Sequence, residues 1–340
     1  MFKKIASAIN AAKERKRKEK AAIEKKARLE ELRKEYLRYE FPKSIGVSLS
    51  EFECIYRCRM CPQYSDEYRN ILNSRKIMDF ETFKVIVEQI PDEEGISVEI
   101  SSMNETLMCK DLEKYISYFK ERRPKPMVVI ATNGRLLTEE RAKSLINSGL
   151  DVLSFSLDAG SKESYKWLCG SDDYELVCEN LLRVVEIRNS LKLDKPKVQT
   201  HIIGIKELSH EFGPFVEKWS KIVDFANVRN YGNWGGLVDD NGITPMDKAP
   251  EKRYPCAWLW CASKILSNGN VVKCFIHPYS NGGILGNIKE KSLKEIWKGE
   301  KVAALRKLHE NGEYSKAELC QDCNVWSLFP DIWSDDGGEK

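Results

Sequence analysis

Residues 127–157 read MVVIATNGRLLTEERAKSLINSGLDVLSFSL, and this stretch decides the fold. Residues 127–132 form a short apolar, β-branched run closed by Thr132-Asn133-Gly134, and residues 152–157 form a second such run. Between them, residues 138–147 carry an amphipathic helical pattern. Two strands joined through a helix of this length make a βαβ unit, whose strands lie parallel.

The alternation extends in both directions. Further strands are predicted at 45–49, 96–101, 198–203 and 223–228, and further helices at 79–89, 111–122, 175–189 and 212–222. Six such units between residues 45 and 230 are too few for a closed eight-fold barrel of ~250 residues. The expected fold is therefore α/β, a partial, TIM-like (β/α)6 barrel. From Asn230 the texture turns Gly-, Asn- and Trp-rich (Tyr231-Gly232-Asn233-Trp234-Gly235-Gly236), which suggests a linker or an active-site wall. The predicted division is a basic N-terminal helix at 1–43, the barrel at 44–230, a linker at 231–255, a small cysteine-bearing domain at 256–330 and a tail at 331–340.

Residues 13–39 are rich in Ala, Glu, Lys, Arg and Leu without Gly or Pro, and read as a helix ending before Phe41-Pro42. Residues 1–45 hold fifteen Lys and Arg against seven Glu, a net +8 in a chain whose total is +3, which leaves −5 for the rest. Such a helix either lies solvated on the body of the protein or docks on an anionic membrane or a partner.

No apolar run approaches the ~20 residues needed to cross a bilayer, and residues 1–10 lack the apolar core and cleavage site of a secretory signal. A cytoplasmic location is expected. There thiols stay reduced, so the eleven cysteines read as metal ligands before disulfides. Cys54, Cys58 and Cys61 crowd one loop, and Cys256, Cys261, Cys274, Cys320 and Cys323 fall in the last quarter. Cys109, Cys169 and Cys178 are scattered and read as small buried apolar residues.

The segment Glu53-Cys54-Ile55-Tyr56-Arg57-Cys58-Arg59-Met60-Cys61-Pro62 places three thiolates directly after the first strand. A cubane held by three cysteines keeps one iron open, whereas electron-transferring clusters normally take four. Zinc would need a fourth ligand, and none of His201, His210, His277 and His309 is near this loop in sequence. A thioredoxin-like site would need Cys-x2-Cys at a helix start, which Cys58 and Cys61 imitate.

Cys-x3-Cys-x2-Cys after strand one of a βα barrel resembles the radical S-adenosylmethionine (SAM) superfamily. The resemblance implies that Cys54, Cys58 and Cys61 hold a 4Fe-4S cluster whose open iron chelates SAM, and that reduction yields a 5′-deoxyadenosyl radical. It also implies SAM contacts. Met60 stands where the family usually has an aromatic residue against adenine. Ile100-Ser101-Ser102-Met103-Asn104-Glu105-Thr106 stands at the Gly-Gly-Glu-Pro position that binds the SAM ammonium, with Glu105 unchanged and Asn104 beside it. Asn133 belongs to a tripeptide common in the family, and Ser156 and Asp158 end strand four, where ribose contacts are expected. Strand alternation would turn Ser156 and Asp158 to the same side.

The C-terminal order is Cys256, Gly269, Cys274, a Gly-rich run at 282–288, a short helix at 291–297 and Cys320-Gln321-Asp322-Cys323. This order resembles the SPASM and twitch extensions of radical SAM enzymes. With no cysteine after Cys323, the resemblance favours one auxiliary 4Fe-4S cluster held by Cys256, Cys274, Cys320 and Cys323, with Cys261 competing for a place. A zinc knuckle with four cysteine ligands is the alternative.

The activity implied is that of a radical SAM oxidoreductase abstracting a hydrogen atom from a small metabolite, such as a sugar or aminocyclitol, with carbinol oxidation as the leading outcome. The resemblance also implies a flavodoxin or ferredoxin reductant as partner. Radical modification of a peptide or protein is the alternative within enzymes. A zinc-bearing nucleic-acid-binding protein would need a basic site-bearing domain, but the chain beyond residue 45 carries −5, so no nucleic acid is expected.

Overall fold

The computed structural model describes residues 2–66, 68, 76–238, 241–247, 249–274, 283–317, 320–329 and 331–333. Position 282 of the Gly-rich run and most of the tail at 331–340 lie outside the described residues.

The chain opens with helix α1 (Phe2–Leu37) and enters the sheet at β1 (Ser44–Ser48). A short antiparallel pair, β2 (Ser50–Glu51) with β3 (Lys76–Ile77), brackets the cysteine loop. Next come α2 (Phe80–Gln89), β4 (Ser97–Ser101), α3 (Leu112–Arg122), β5 (Met127–Thr132), α4 (Glu139–Asn147) and β6 (Val152–Asp158). Helices α5 (Lys162–Cys169) and α6 (Tyr174–Ser190) lead into β7 (Lys197–Gly204), and α7 (Phe212–Trp219) leads into β8 (Phe225–Asn230). Strands β1, β4, β5, β6, β7 and β8 are parallel neighbours in that order, and with their helices they form the partial (β/α)6 barrel.

Local chemistry explains these elements. Asp79, Thr138 and Ser161 each accept a hydrogen bond from a backbone N–H three residues on, which caps α2, α4 and α5. Val98, Ile100, Val128, Ile130, Leu153, Phe155 and Val198 are fully buried, each contributing roughly 1.5–3 kcal/mol of burial. The buried Asp151 carboxylate accepts from Val128 N–H at 2.8 Å and pairs with Lys120 at 2.9 Å and Lys195 at 2.5 Å. It thereby locks the start of β6 to its neighbours.

The C-terminal part has more regular structure than its sequence suggests. It comprises α8 (Trp258–Cys261), β9 (Ala262–Ile265), β10 (Asn270–Val272), β11 (Ile284–Asn287), α9 (Leu293–Trp297) and α10 (Glu300–Glu310). β9 pairs parallel with β1, and β10 runs antiparallel to both β9 and β11, so one nine-stranded sheet has the order β11-β10-β9-β1-β4-β5-β6-β7-β8. These strands escape a reading by periodicity because each is only three or four residues long. Lys264 within β9 is also buried, where the nearby charges of Glu51 and Glu99 offset part of its desolvation.

Helix α1 docks through its last turns. Leu29, Leu32 and Tyr36 pack against Ala257, Phe329, Ile332 and Trp333, and the Arg33 guanidinium lies 5.5 Å from the Trp333 ring centroid. Residues 13–28 are almost entirely exposed, as expected of a solvated helix. No helix among the described residues is long and apolar enough to cross a membrane.

Candidate active site

The cysteine loop follows β1 and is fastened at several points. The Cys54 N–H donates to Gln63 Oε1 at 2.7 Å, and Gln63 Nε2 donates to the Met103 carbonyl at 2.5 Å, tying the loop to the end of β4. Cys61 N–H donates to the Cys58 carbonyl at 3.0 Å and leads into a 3-10 turn at Pro62–Tyr64. Arg59 bonds the carbonyls of Leu168 and Trp167, at 2.8 Å through its backbone and 2.7 Å through Nε, and so pins the loop to α5.

This fastening sets Cys54 and Cys58 close together. Burial pushes the Cys54 thiol up to about 12, with Cys58 and Glu105 adding to the shift. The Cys58 thiol is raised well above its ordinary value by a hydrogen bond with Cys169, then by burial and the nearby Asp158. Cys169 is buried, as its scattered position suggests, yet it also joins the site. The sequence holds no signal for this, because α5 brings it there from more than one hundred residues away.

Glu105 is buried behind β4. Its Oε1 accepts from Leu107 N–H at 3.0 Å and from the Thr132 hydroxyl, and its Oε2 accepts from Asn133 N–H at 2.7 Å. Burial raises its carboxyl above the usual range, and these three bonds oppose the shift. Glu105 therefore joins the ends of β4 and β5 and lies near Cys54. Asn133 Oδ1 accepts from Arg135 N–H at 3.0 Å, and Asn104 Oδ1 accepts from the Ser50 hydroxyl at 3.1 Å. Gly134 has a φ of +77°, and a Cβ there would sit 2.4 Å from the Phe155 ring, so the tripeptide's glycine is required by its own backbone and packing. Among the described residues, the buried hydroxyl of Ser101, at the end of β4, has no hydrogen-bond partner.

At the end of β6 the structure departs from simple alternation. A register shift falls between Ser156 and Asp158, and Asp158 has a φ of +61°, which a non-glycine residue adopts only at some cost. Asp158 turns to the buried His201 on β7, with Oδ1 3.1 Å from Nε2. His201 pairs in register with Ser156, a cross-strand relation invisible in one sequence. Met60 is partly buried, and its carbonyl accepts from Trp234 Nε1 at 2.8 Å.

A second cysteine site lies in the C-terminal part. Cys256, Cys274, Cys320 and Cys323 line one cavity with Arg253, Lys273 and His309. Burial holds Cys256 well above the ordinary thiol value and raises Cys320 and Cys323, against the pull of Arg253 on both and of Lys273 on Cys320. Cys261 is not part of the cavity lining, and its thiol hydrogen-bonds the Tyr36 hydroxyl of α1. Among the described residues no three Cys, His, Asp or Glu side chains are grouped to hold a single metal ion. A cubane takes its cysteines on separate irons, so its ligands surround a volume instead of meeting at a point.

The Gly- and Asn-rich segment joins the two sites. Trp234 holds the Met60 carbonyl on one side. On the other, Asn233 exchanges two bonds with Asn324, at 2.8 and 3.0 Å, and donates to the Asp322 carbonyl at 2.7 Å.

A partial (β/α)6 barrel with three cysteines after β1, followed by a cavity ringed with four more, defines a class of iron–sulfur barrel enzymes. Residues 52–215 match the Radical SAM superfamily, and residues 256–324 match the SPASM iron–sulfur cluster-binding domain. The chain belongs to the radical SAM superfamily and is a radical SAM enzyme, for which these two domains imply 4Fe-4S clusters and SAM. Among curated proteins it resembles the S-adenosyl-L-methionine-dependent 2-deoxy-scyllo-inosamine dehydrogenase of Niallia circulans, at 24% identity over 81% of this chain and 90% of that protein. Two solved structures share the fold. BtrN in complex with AdoMet and 2-DOIA has a TM-score of 0.55 and 20% identity, covering 84% of this chain and 93% of that one. Streptococcus suis SuiB bound to precursor peptide SuiA has a TM-score of 0.61 and 17% identity, covering 87% and 72%.

Proposed function

We propose that this enzyme oxidises a carbinol carbon of a small polyhydroxylated metabolite, a sugar, aminocyclitol or similar compound. The observation that carries this reading is the second cysteine cavity, bridged to the first site through Asn233 and Trp234. The likeness to an inosamine dehydrogenase over nearly the whole of both chains supports it.

In this reading Cys54, Cys58 and Cys61 hold the SAM-side cluster, and Cys256, Cys274, Cys320 and Cys323 hold one auxiliary cluster. The donor sets suit these groups. Four soft thiols surround one cavity, and it is also lined by Arg253 and His309, each with a buried nitrogen that has no hydrogen-bond partner among the described residues. When bound, the cofactors supply a hydrogen-abstracting radical at one site and a one-electron acceptor at the other. Glu105 offers its carboxylate to the SAM ammonium, and Asn104, Asn133 and Ser156 place polar groups at neighbouring strand ends. Met60 would offer its thioether to the adenine. Asp158 and His201 form a buried pair able to hold a proton between them at 3.1 Å.

The domain division drawn from the sequence, with a barrel at 44–230 and an auxiliary domain at 256–330, belongs to the same proposal. So do the flavodoxin or ferredoxin reductant and a cytoplasmic location, which suits eleven cysteines without a disulfide. The test is anaerobic incubation of the holoenzyme with reduced flavodoxin, SAM and a panel of sugars and aminocyclitols. The expected result is one 5′-deoxyadenosine and one two-electron-oxidised product per SAM consumed. A product at the oxidation level of its substrate, or modification of a peptide alone, would overturn the proposal.

A further inference from the structure

We propose that Arg253, Lys273 and His309 raise the reduction potential of the auxiliary cluster. This rests on reading Cys256, Cys274, Cys320 and Cys323 as its ligands.

The polar wall of the cavity is made of donors and cations. Among the described residues, Arg253 Nε and His309 Nε2 are buried with no hydrogen-bond partner, and both residues line the cavity. His309 Nδ1 accepts from Cys256 N–H at 3.3 Å, which fixes the tautomer of the neutral ring with its proton on Nε2. That nitrogen is then a donor.

Arg253 is held rigidly. Its guanidinium carbon stands 4.2 Å from the Tyr314 ring centroid and 5.6 Å from that of Trp326, while Nη1 donates to the Gln321 carbonyl at 3.0 Å. Lys273 is buried next to Cys274, and its charge acts on Cys320. Among the described residues no carboxylate lines this cavity.

A buried guanidinium N–H without an acceptor is costly, so the wall is built for an anion. A cubane with four thiolates is anionic, and reduction adds one more negative charge. Fixed cations and N–H donors stabilise the reduced form more than the oxidised form, which moves the potential upward. Hydrogen bonds to the sulfurs act in the same direction.

The test is an anaerobic, EPR-monitored redox titration of the full-length holoenzyme. SAM alters only the signal of the cluster with the open iron, so its addition tells the two clusters apart. Lys273→Met and Arg253→Gln should each shift the auxiliary midpoint to more negative values, and the double variant should shift it further. Lys273→Arg should restore the wild-type value, and the SAM-side midpoint should stay in place throughout. If Arg253→Gln loses the cluster, the Lys273→Met and Lys273→Arg pair carries the test alone. A full iron complement with an unmoved auxiliary midpoint would overturn this proposal alone. Wild-type protein with only one cluster would overturn the ligand reading and this inference with it.

Discussion

Apart from the neighbouring thiols, the charges acting on Cys54 and Cys58 come from carboxylates, Glu105 on the first and Asp158 on the second. Around Cys320 and Cys323, again apart from the thiols themselves, they come from Arg253, joined by Lys273 at Cys320. The ligand is cysteine in both places, but the surroundings have opposite sign. A cluster that must break a SAM bond needs a strongly reducing electron, and neighbouring carboxylates keep a potential low. A cluster that takes an electron from a substrate needs a higher potential, which cations provide. On the function proposed above, the contrast would favour electron flow from the substrate to the second site.

The widest test is whether the sites are separable. Replacing Cys54, Cys58 and Cys61 together by Ala should lower the iron content from about eight to about four atoms per chain and abolish 5′-deoxyadenosine formation. Iron and acid-labile sulfide analysis would show it. Residual 5′-deoxyadenosine in this variant would break the comparison at its root.

A smaller effect comes from Glu105, which has two duties. Glu105→Ala strands Leu107 N–H, Asn133 N–H and the Thr132 hydroxyl, and should destabilise the fold by about 1–3 kcal/mol while weakening SAM binding. Glu105→Gln keeps an acceptor oxygen and loses the charge, so SAM affinity should still fall with much less loss of stability. In the same variant the SAM-side midpoint should move upward, the mirror image of the Lys273→Met shift. Equal loss of stability in both variants, or unchanged SAM affinity in both, would remove Glu105 from one side of the comparison.

Much of the barrel was legible in the sequence. The strand predicted at 127–132 coincides with β5, and the other five barrel strands lie within about two residues of their predicted ends. Parallel strands buried on both faces leave continuous apolar runs, and that pattern survives without a structure. The four cysteines that line the second cavity were singled out through the family resemblance and not through spacing alone, and Cys261, which competed with them in the sequence, bonds instead to Tyr36 on a helix some 225 positions earlier. Cys169 and His201 reach the first site only through α5 and the register of β6 with β7. The bulge before Asp158 was hidden because one irregular residue overrides a two-residue period without changing composition. Arg253 and Lys273 were unreadable for a related reason, since a charged side chain looks solvated in one sequence until the fold turns it to a cavity.

The smallest predicted effect probes the segment that connects the two environments. Trp234 Nε1 donates to the Met60 carbonyl at 2.8 Å, and the neighbouring Asn233 is bonded to Asn324 and Asp322 in the C-terminal cysteine loop. Trp234→Phe keeps most of the ring and removes one neutral hydrogen bond, worth about 0.5–1.5 kcal/mol. Local opening of the loop around Met60 should become easier by that amount, so backbone amide exchange at Arg57–Cys61 should quicken by about two- to twelve-fold. Exchange at Cys320 and Cys323 should change less, because the Asn233 bonds remain. Iron content should be unaltered, since no ligand moves. Equal quickening at both loops would mean that the segment unfolds as one unit and that the two sites are mechanically coupled through it. Unchanged exchange at both would mean that the Trp234 bond does not hold the first loop, and the bridge would then belong to the auxiliary side alone.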